Sequence, residues 1–111
     1  MSRVLDFLPA SGLTAVHIKT IADILDAHLG QGRNGTVFLF GSRARGDHEK
    51  FSDIDLLLDI QPAPDSRIMC LIREAFDESA LPFKIDIVAA CDVFAPYRKQ
   101  LDAEKIAFIG I

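Results

Sequence analysis

Ile18, Ile21, Ala22, Leu25 and Leu29 recur three and four residues apart, the spacing of one buried helical face. The spacing predicts a helix from about Thr14 to Leu29, capped by the Thr14 hydroxyl and ended by Gly30. Gln31 to Gly35 is polar and contains glycine, so it reads as a loop. Two apolar runs follow, Thr36–Phe40 and Ile54–Ile60, and each is short enough for a strand. The segment between them, Ser42–Phe51, reads as a turn or short helix followed by a loop. The second run stops at Gln-Pro-Ala-Pro, residues 61–64. From Asp65 or Ser66 the helical spacing returns as Ile68, Leu71, Ile72, Ala75, Phe76 and Ala80, and Leu81-Pro82 closes it. Phe83–Ala90 reads as a third strand. A third helix is expected near Pro96, which suits a first-turn position, and it carries Tyr97, Leu101 and Ile106. The apolar tail Lys105–Ile111 suits a closing strand or a partner contact, and residues 1–13 form a short arm with turn signals at Pro9 and Gly12. The order helix–strand–strand–helix–strand–helix predicts an α/β (α+β) fold, a mixed β-sheet with helices packed on one face, in a single domain over residues 1–111.

Alternation along the second apolar run separates its two faces. Ile54, Leu56, Leu58 and Ile60 share one, and Asp53, Asp55, Leu57 and Asp59 share the other. The first is wholly apolar and belongs on a core. The second carries Asp53 and Asp55, about 6.6 Å apart along the strand. In the next run Ile85, Ile87 and Ala89 face one way, and Lys84, Asp86 and Val88 the other. If these strands share a sheet, Asp53, Asp55 and Asp86 converge on its non-core side. Three converging carboxylates repel one another unless a cation joins them. Hard oxygen ligands of this kind suit Mg²⁺, or Mn²⁺, and a pair of such ions is a common device of phosphoryl transfer. Asp59 lies four residues beyond Asp55, too far to join the same pair of ions.

Gly41-Ser42 supplies a complement to these acids. Glycine lets backbone approach a phosphate, and the following turn of N–H groups can form an anion nest. Ser42 adds a hydroxyl, and Arg43 and Arg45 bring positive charge to the same turn. His17, His28 and His48 read as surface or loop residues, and Glu49 and Lys50 as a solvated loop.

Composition narrows the partners. The chain has 111 residues, half of them hydrophobic, enough for one modest core. A net charge of -4 speaks against a nucleic-acid-binding surface, so no direct nucleic-acid binding is expected. No apolar stretch is long enough to span a membrane, and the N-terminus does not read as a signal peptide. Cys70 and Cys91 have no metal-ligand spacing and read as buried thiols in a reduced, cytoplasmic setting.

Gly-Ser, ten residues, then Asp-x-Asp, with a later acid in a strand, resembles the signature of the DNA polymerase beta-like nucleotidyltransferase superfamily. The form GSRARG…SDIDLLLD in so short a chain is similar to its minimal nucleotidyltransferase (MNT) branch. The likeness runs from about Thr36 to Val88, and the preceding helix fits it. The resemblance implies that Asp53, Asp55 and Asp86 are catalytic and hold two Mg²⁺, with Asp86 on the catalytic ion and helping to deprotonate the acceptor. It also implies that Gly41, Ser42 and Arg43 bind the nucleotide, ATP or another NTP. Larger relatives hold the acceptor with an added domain, for which this chain has no room. MNT proteins are commonly paired with HEPN-domain toxins, so the resemblance implies a protein adenylyltransferase, the antitoxin of a type VII-like toxin–antitoxin pair, that places AMP on a toxin tyrosine. Two alternatives are an antitoxin that acts by contact alone and a small-molecule, aminoglycoside-like nucleotidyltransferase. In this family a glycine often follows the acid matching Glu104, whereas this chain has Lys105.

Overall fold

The structure is a computed structural model that describes residues 3–4, 12–47, 49 and 52–111. The expectations for Pro9, His48 and Lys50 lie outside the described residues. The first helix, α1 (Ala15–Leu29), starts where its cap predicts. The His17 N–H donates to Thr14 Oγ1 and the Thr14 N–H to His17 Nδ1, both at 3.2 Å. His17 is therefore part of a reciprocal cap, and its ring also meets Phe83 edge-on at 4.8 Å. Gly30 ends the helix at φ 68°, and all five residues of the expected apolar stripe are buried.

Five strands form one mixed sheet in the order β1-β5-β2-β3-β4. They are β1 (Arg3–Val4), β2 (Asn34–Phe40), β3 (Ile54–Gln61), β4 (Ile85–Ala89) and β5 (Ile106–Gly110). All neighbours are antiparallel except β3 and β4, which run parallel. A parallel pair needs a crossover, and here it contains α3 (Ser66–Glu78), capped by Asp65, whose Oδ1 accepts from the Ile68 N–H at 2.8 Å. The apolar tail is thus the closing strand: β5 sits inside the sheet between β1 and β2, with Phe108 and Ile109 wholly buried.

The core joins α1 and α3 to the face of β3 that carries Ile54, Leu56, Leu58 and Ile60, as alternation predicts. On α3 the buried line is Met69, Ile72 and Phe76, whereas Leu71 is 43% exposed. The face is rotated by about one position from the one the spacing suggested, because both lines satisfy a 3.6-residue period. Ala80 lies past the end of the helix, which stops at Glu78. Cys70 and Cys91 are both exposed, correcting the expectation of buried thiols. No helix among the described residues is long and apolar enough to cross a membrane.

The opposite face is not bare. Leu57 on β3 is wholly buried outside the main core. The helix α4 (Ala95–Glu104) has Pro96 in its first turn, buries Leu101 and leaves Tyr97 exposed. Ile106 falls beyond it, in β5. At its end, Lys105 Nζ lies 4.5 Å from the ring centroid of Phe38. Phe38 pairs with Leu57, so this contact covers part of the face that also carries the acids.

Candidate active site

A single row across the sheet defines the site. Phe40 of β2 pairs with Asp55 of β3, and Asp55 pairs with Asp86 of β4. Neighbouring strands lie about 4.8 Å apart, so register alone sets the two carboxylates side by side. Asp53, exposed, immediately precedes β3, on the same face as Asp55. Asp59 shares that face but pairs with Thr36, further along the strand, in keeping with its exclusion from the site.

Gly41 lies beside the same row. It follows Phe40, has φ 75° and ψ −157°, and a Cβ built there would run into Asp55 Oδ2. Only glycine accepts both that backbone and that contact without strain. Ser42 then opens α2 (Ser42–Arg45), which ends at Gly46. The Gly41-Ser42 turn is therefore held directly against Asp55, the meeting the sequence suggested.

Electrostatics single out Asp55. Its pKa is raised from the usual 3.8 to about 6, chiefly by burial, then by the charges of Asp86 and Asp53, while Arg45 opposes the rise. A carboxylate with like charges nearby and little water is unfavourable in its ionised form, and a divalent cation removes that penalty. The donor set, three carboxylates on adjacent strands, has the hard-oxygen chemistry of a Mg²⁺ or Mn²⁺ site. Asp86 Oδ1 lies 3.6 Å from Lys84 Nζ. Among the described residues no three His, Cys, Asp or Glu side chains stand together as a ready metal site. The backbone thus brings the acids to one place, and their carboxylates would have to turn to share an ion.

The two arginines part company. Successive helical residues are turned about 100°, so residues two apart point in nearly opposite directions. Arg43 goes inward and is 2% exposed. Its Nε donates to the Ser52 carbonyl at 3.1 Å, and its guanidinium carbon lies 4.4 Å from the Phe83 ring centroid. Burial pushes its pKa down, although a guanidinium stays charged. Arg45 goes outward, towards the acids. Its Nε lies 3.1 Å from Asp47 Oδ2 and its Nη1 3.2 Å from Glu104 Oε2. The pair Arg45–Glu104, which links the Gly41-Ser42 turn to the end of α4, was missed in the sequence. The two-residue spacing of the arginines was the available signal that one faces in and the other out.

Comparison with known proteins identifies the family. The family described as nucleotidyltransferase domain matches residues 18–110. A Haemophilus influenzae protein named "Probable protein adenylyltransferase MntA" is 40% identical over 53 residues, 48% of this chain and 46% of that protein. Two Methanocaldococcus jannaschii proteins, named "Putative protein adenylyltransferase MJ0126" and "Putative protein adenylyltransferase MJ1217", are each 30% identical over 74 residues, 67% of this chain and 74% of theirs. The similarity thus spans less than half the length of the Haemophilus relative. The fold resembles a chain described as "Crystal structure of the toxin-antitoxin with AMP-PNP", with a TM-score of 0.66 at 20% identity, covering 81% of this chain and 70% of that one. A family match across nearly the whole chain, with the Gly-Ser turn and the acids placed together on the sheet, shows that the chain belongs to the nucleotidyltransferase domain family.

Proposed function

We propose that this protein transfers AMP from ATP to a hydroxyl on a partner protein, and that the partner is a HEPN-type toxin whose tyrosine is the acceptor. The observation that carries the reading is the row Phe40–Asp55–Asp86 with Gly41 pressed against Asp55. It supports the reading because the Gly41-Ser42 turn lies against Asp55, which pairs with Asp86. The names of the relatives support a protein acceptor, and the structural neighbour is a toxin–antitoxin assembly with an ATP analogue.

Mg²⁺, held by Asp53, Asp55 and Asp86, would neutralise the phosphates and lower the pKa of the attacking hydroxyl. The chain's own residues do the rest. Gly41 lets the α- and β-phosphates approach the backbone, Ser42 donates its hydroxyl, and Arg45 offers a guanidinium on the acid side. The acceptor oxygen forms a bond to the α-phosphorus, the bond to pyrophosphate breaks in line, and pyrophosphate leaves. Asp86, on the sheet's edge strand, takes the hydroxyl proton. Positioning and charge neutralisation account for the catalysis.

The test is a pull-down from the native host with intact mass of the co-purifying protein. A small helical partner carrying whole AMP increments, lost with the Asp53→Asn/Asp55→Asn variant, is the expected result. A tightly bound partner of unmodified mass would instead mean inhibition by contact. Transfer to a small hydroxylated compound without any partner would replace the proposed acceptor.

A further inference from the structure

Arg43 is the buried charged residue among the described residues, and the mechanism above does not use its charge. An apolar side chain in its place would leave the Ser52 carbonyl without this donor. What distinguishes Arg43 is the set of segments it joins. It follows Ser42 directly. Its Nε holds the carbonyl of Ser52, the residue before Asp53. Its guanidinium stacks on Phe83, three residues before Asp86. The contacts around it are themselves fixed. The Glu49 N–H donates to Ser52 Oγ at 2.7 Å and the Ser52 N–H to the Glu49 carbonyl at 3.2 Å. The Ile54 N–H donates to the Lys84 carbonyl at 2.9 Å, tying the starts of β3 and β4. Phe83 also meets the ring of His17 of α1 edge-on. One side chain thus meets all three segments that carry the Gly-Ser turn, Asp53 and Asp86.

We propose that Arg43 is a positioning residue: through the Ser52 carbonyl and the Phe83 ring it fixes Asp53 relative to Asp86 and the Gly41-Ser42 turn, and so prepares the three acids to take up a divalent cation. The last step rests on the cation reading under the proposed function. In this role Arg43 acts through those two contacts rather than on nucleotide or ion. It replaces the expected phosphate contact with an internal one.

The test compares the wild-type protein with Arg43→Met and Arg43→Lys by native-state hydrogen exchange and by Mn²⁺ uptake followed by electron paramagnetic resonance. Loss of a charged hydrogen bond at the start of β3 should speed exchange of the Ile54 amide about tenfold in Arg43→Met. The amides of Ile21 in α1 and Ile72 in α3 should keep their rates. Mn²⁺ affinity should fall by about the same factor, and Arg43→Lys, which keeps a donor and a cation over Phe83, should recover part of both losses. Equal acceleration at Ile21 and Ile72 would show a general loss of stability and overturn the proposal. So would wild-type Mn²⁺ affinity in both variants. Should Arg43→Met fail to fold, the lysine variant decides by the same two readouts. A wild-type protein that takes up no Mn²⁺ would refute the cation reading, and unchanged Ile54 exchange would refute the positioning role separately.

Discussion

At the scale of single residues, Asp55 is where stability and function oppose each other. Its folded pKa of about 6 lies above the value near 3.8 expected in the unfolded chain. Between those values the folded state binds more protons than the unfolded one, so stability falls as pH rises through that window. Asp55→Asn removes the penalty. Because the carboxyl is only half-buried, solvent screens it, and the metal-free variant should gain about 1–2 kcal/mol at pH 7. Urea unfolding at pH 4 and pH 7 checks this: the gain should be present at pH 7 and shrink at pH 4, while transfer activity is lost throughout. Arg45 acts on the same group from the other side, since its charge lowers the Asp55 pKa. Arg45→Gln should therefore move the Asp55 titration upward, read from its side-chain carboxyl carbon shift by NMR. Its ion pairs with Asp47 and Glu104 are exposed enough that the same change should cost less than about 1 kcal/mol of stability.

At the scale of elements, what was legible in the sequence was what is local. Thr14, the five-residue stripe and Gly30 gave α1 almost to the residue, because capping and periodicity are properties of one segment. The same holds for the faces of β3 and β4, while the meeting of Asp55 and Asp86 also needed the parallel pairing of the two strands, which the sequence left as a condition. Three features depended on partners distant in sequence and were not legible. The direction of Arg43 is set by Ser52 and Phe83, the rotation of α3 by its packing on α1 and the sheet, and the exposure of Cys70 by that same rotation. The rotation makes a contrast between neighbouring positions. Met69 is buried and Leu71 half open to solvent. Met69→Ala should cost about 2–4 kcal/mol and Leu71→Ala less than about 1 kcal/mol, measured by denaturant midpoints at unchanged m. A larger cost at Leu71 than at Met69 would place the buried face where the spacing first suggested.

At the scale of the whole molecule, the sheet sets its own acids against its stability. Register places Asp55 beside Asp86 on adjacent strands, and the core face behind them, with α1 and α3, fixes β3 in place. The strands cannot separate the charges without giving up the burial of Ile54 and Leu56. Under the proposed function, a cation bound between the acids would relieve that cost. A cation that binds the folded chain and not the unfolded one stabilises it by mass action, about 2.7 kcal/mol at a hundredfold excess over its dissociation constant. For a domain of this size that is a rise in thermal midpoint on the order of 10 °C. Wild-type protein should show such a rise with Mg²⁺ at pH 7.5. The Asp53→Asn/Asp55→Asn variant should start from a higher midpoint without metal and gain nothing when Mg²⁺ is added. A variant that starts lower would show that the carboxylates stabilise the sheet by themselves. A variant that still responds to Mg²⁺ would place the cation elsewhere. The two midpoints, with and without the ion, therefore test the assignment of the acids without measuring transfer.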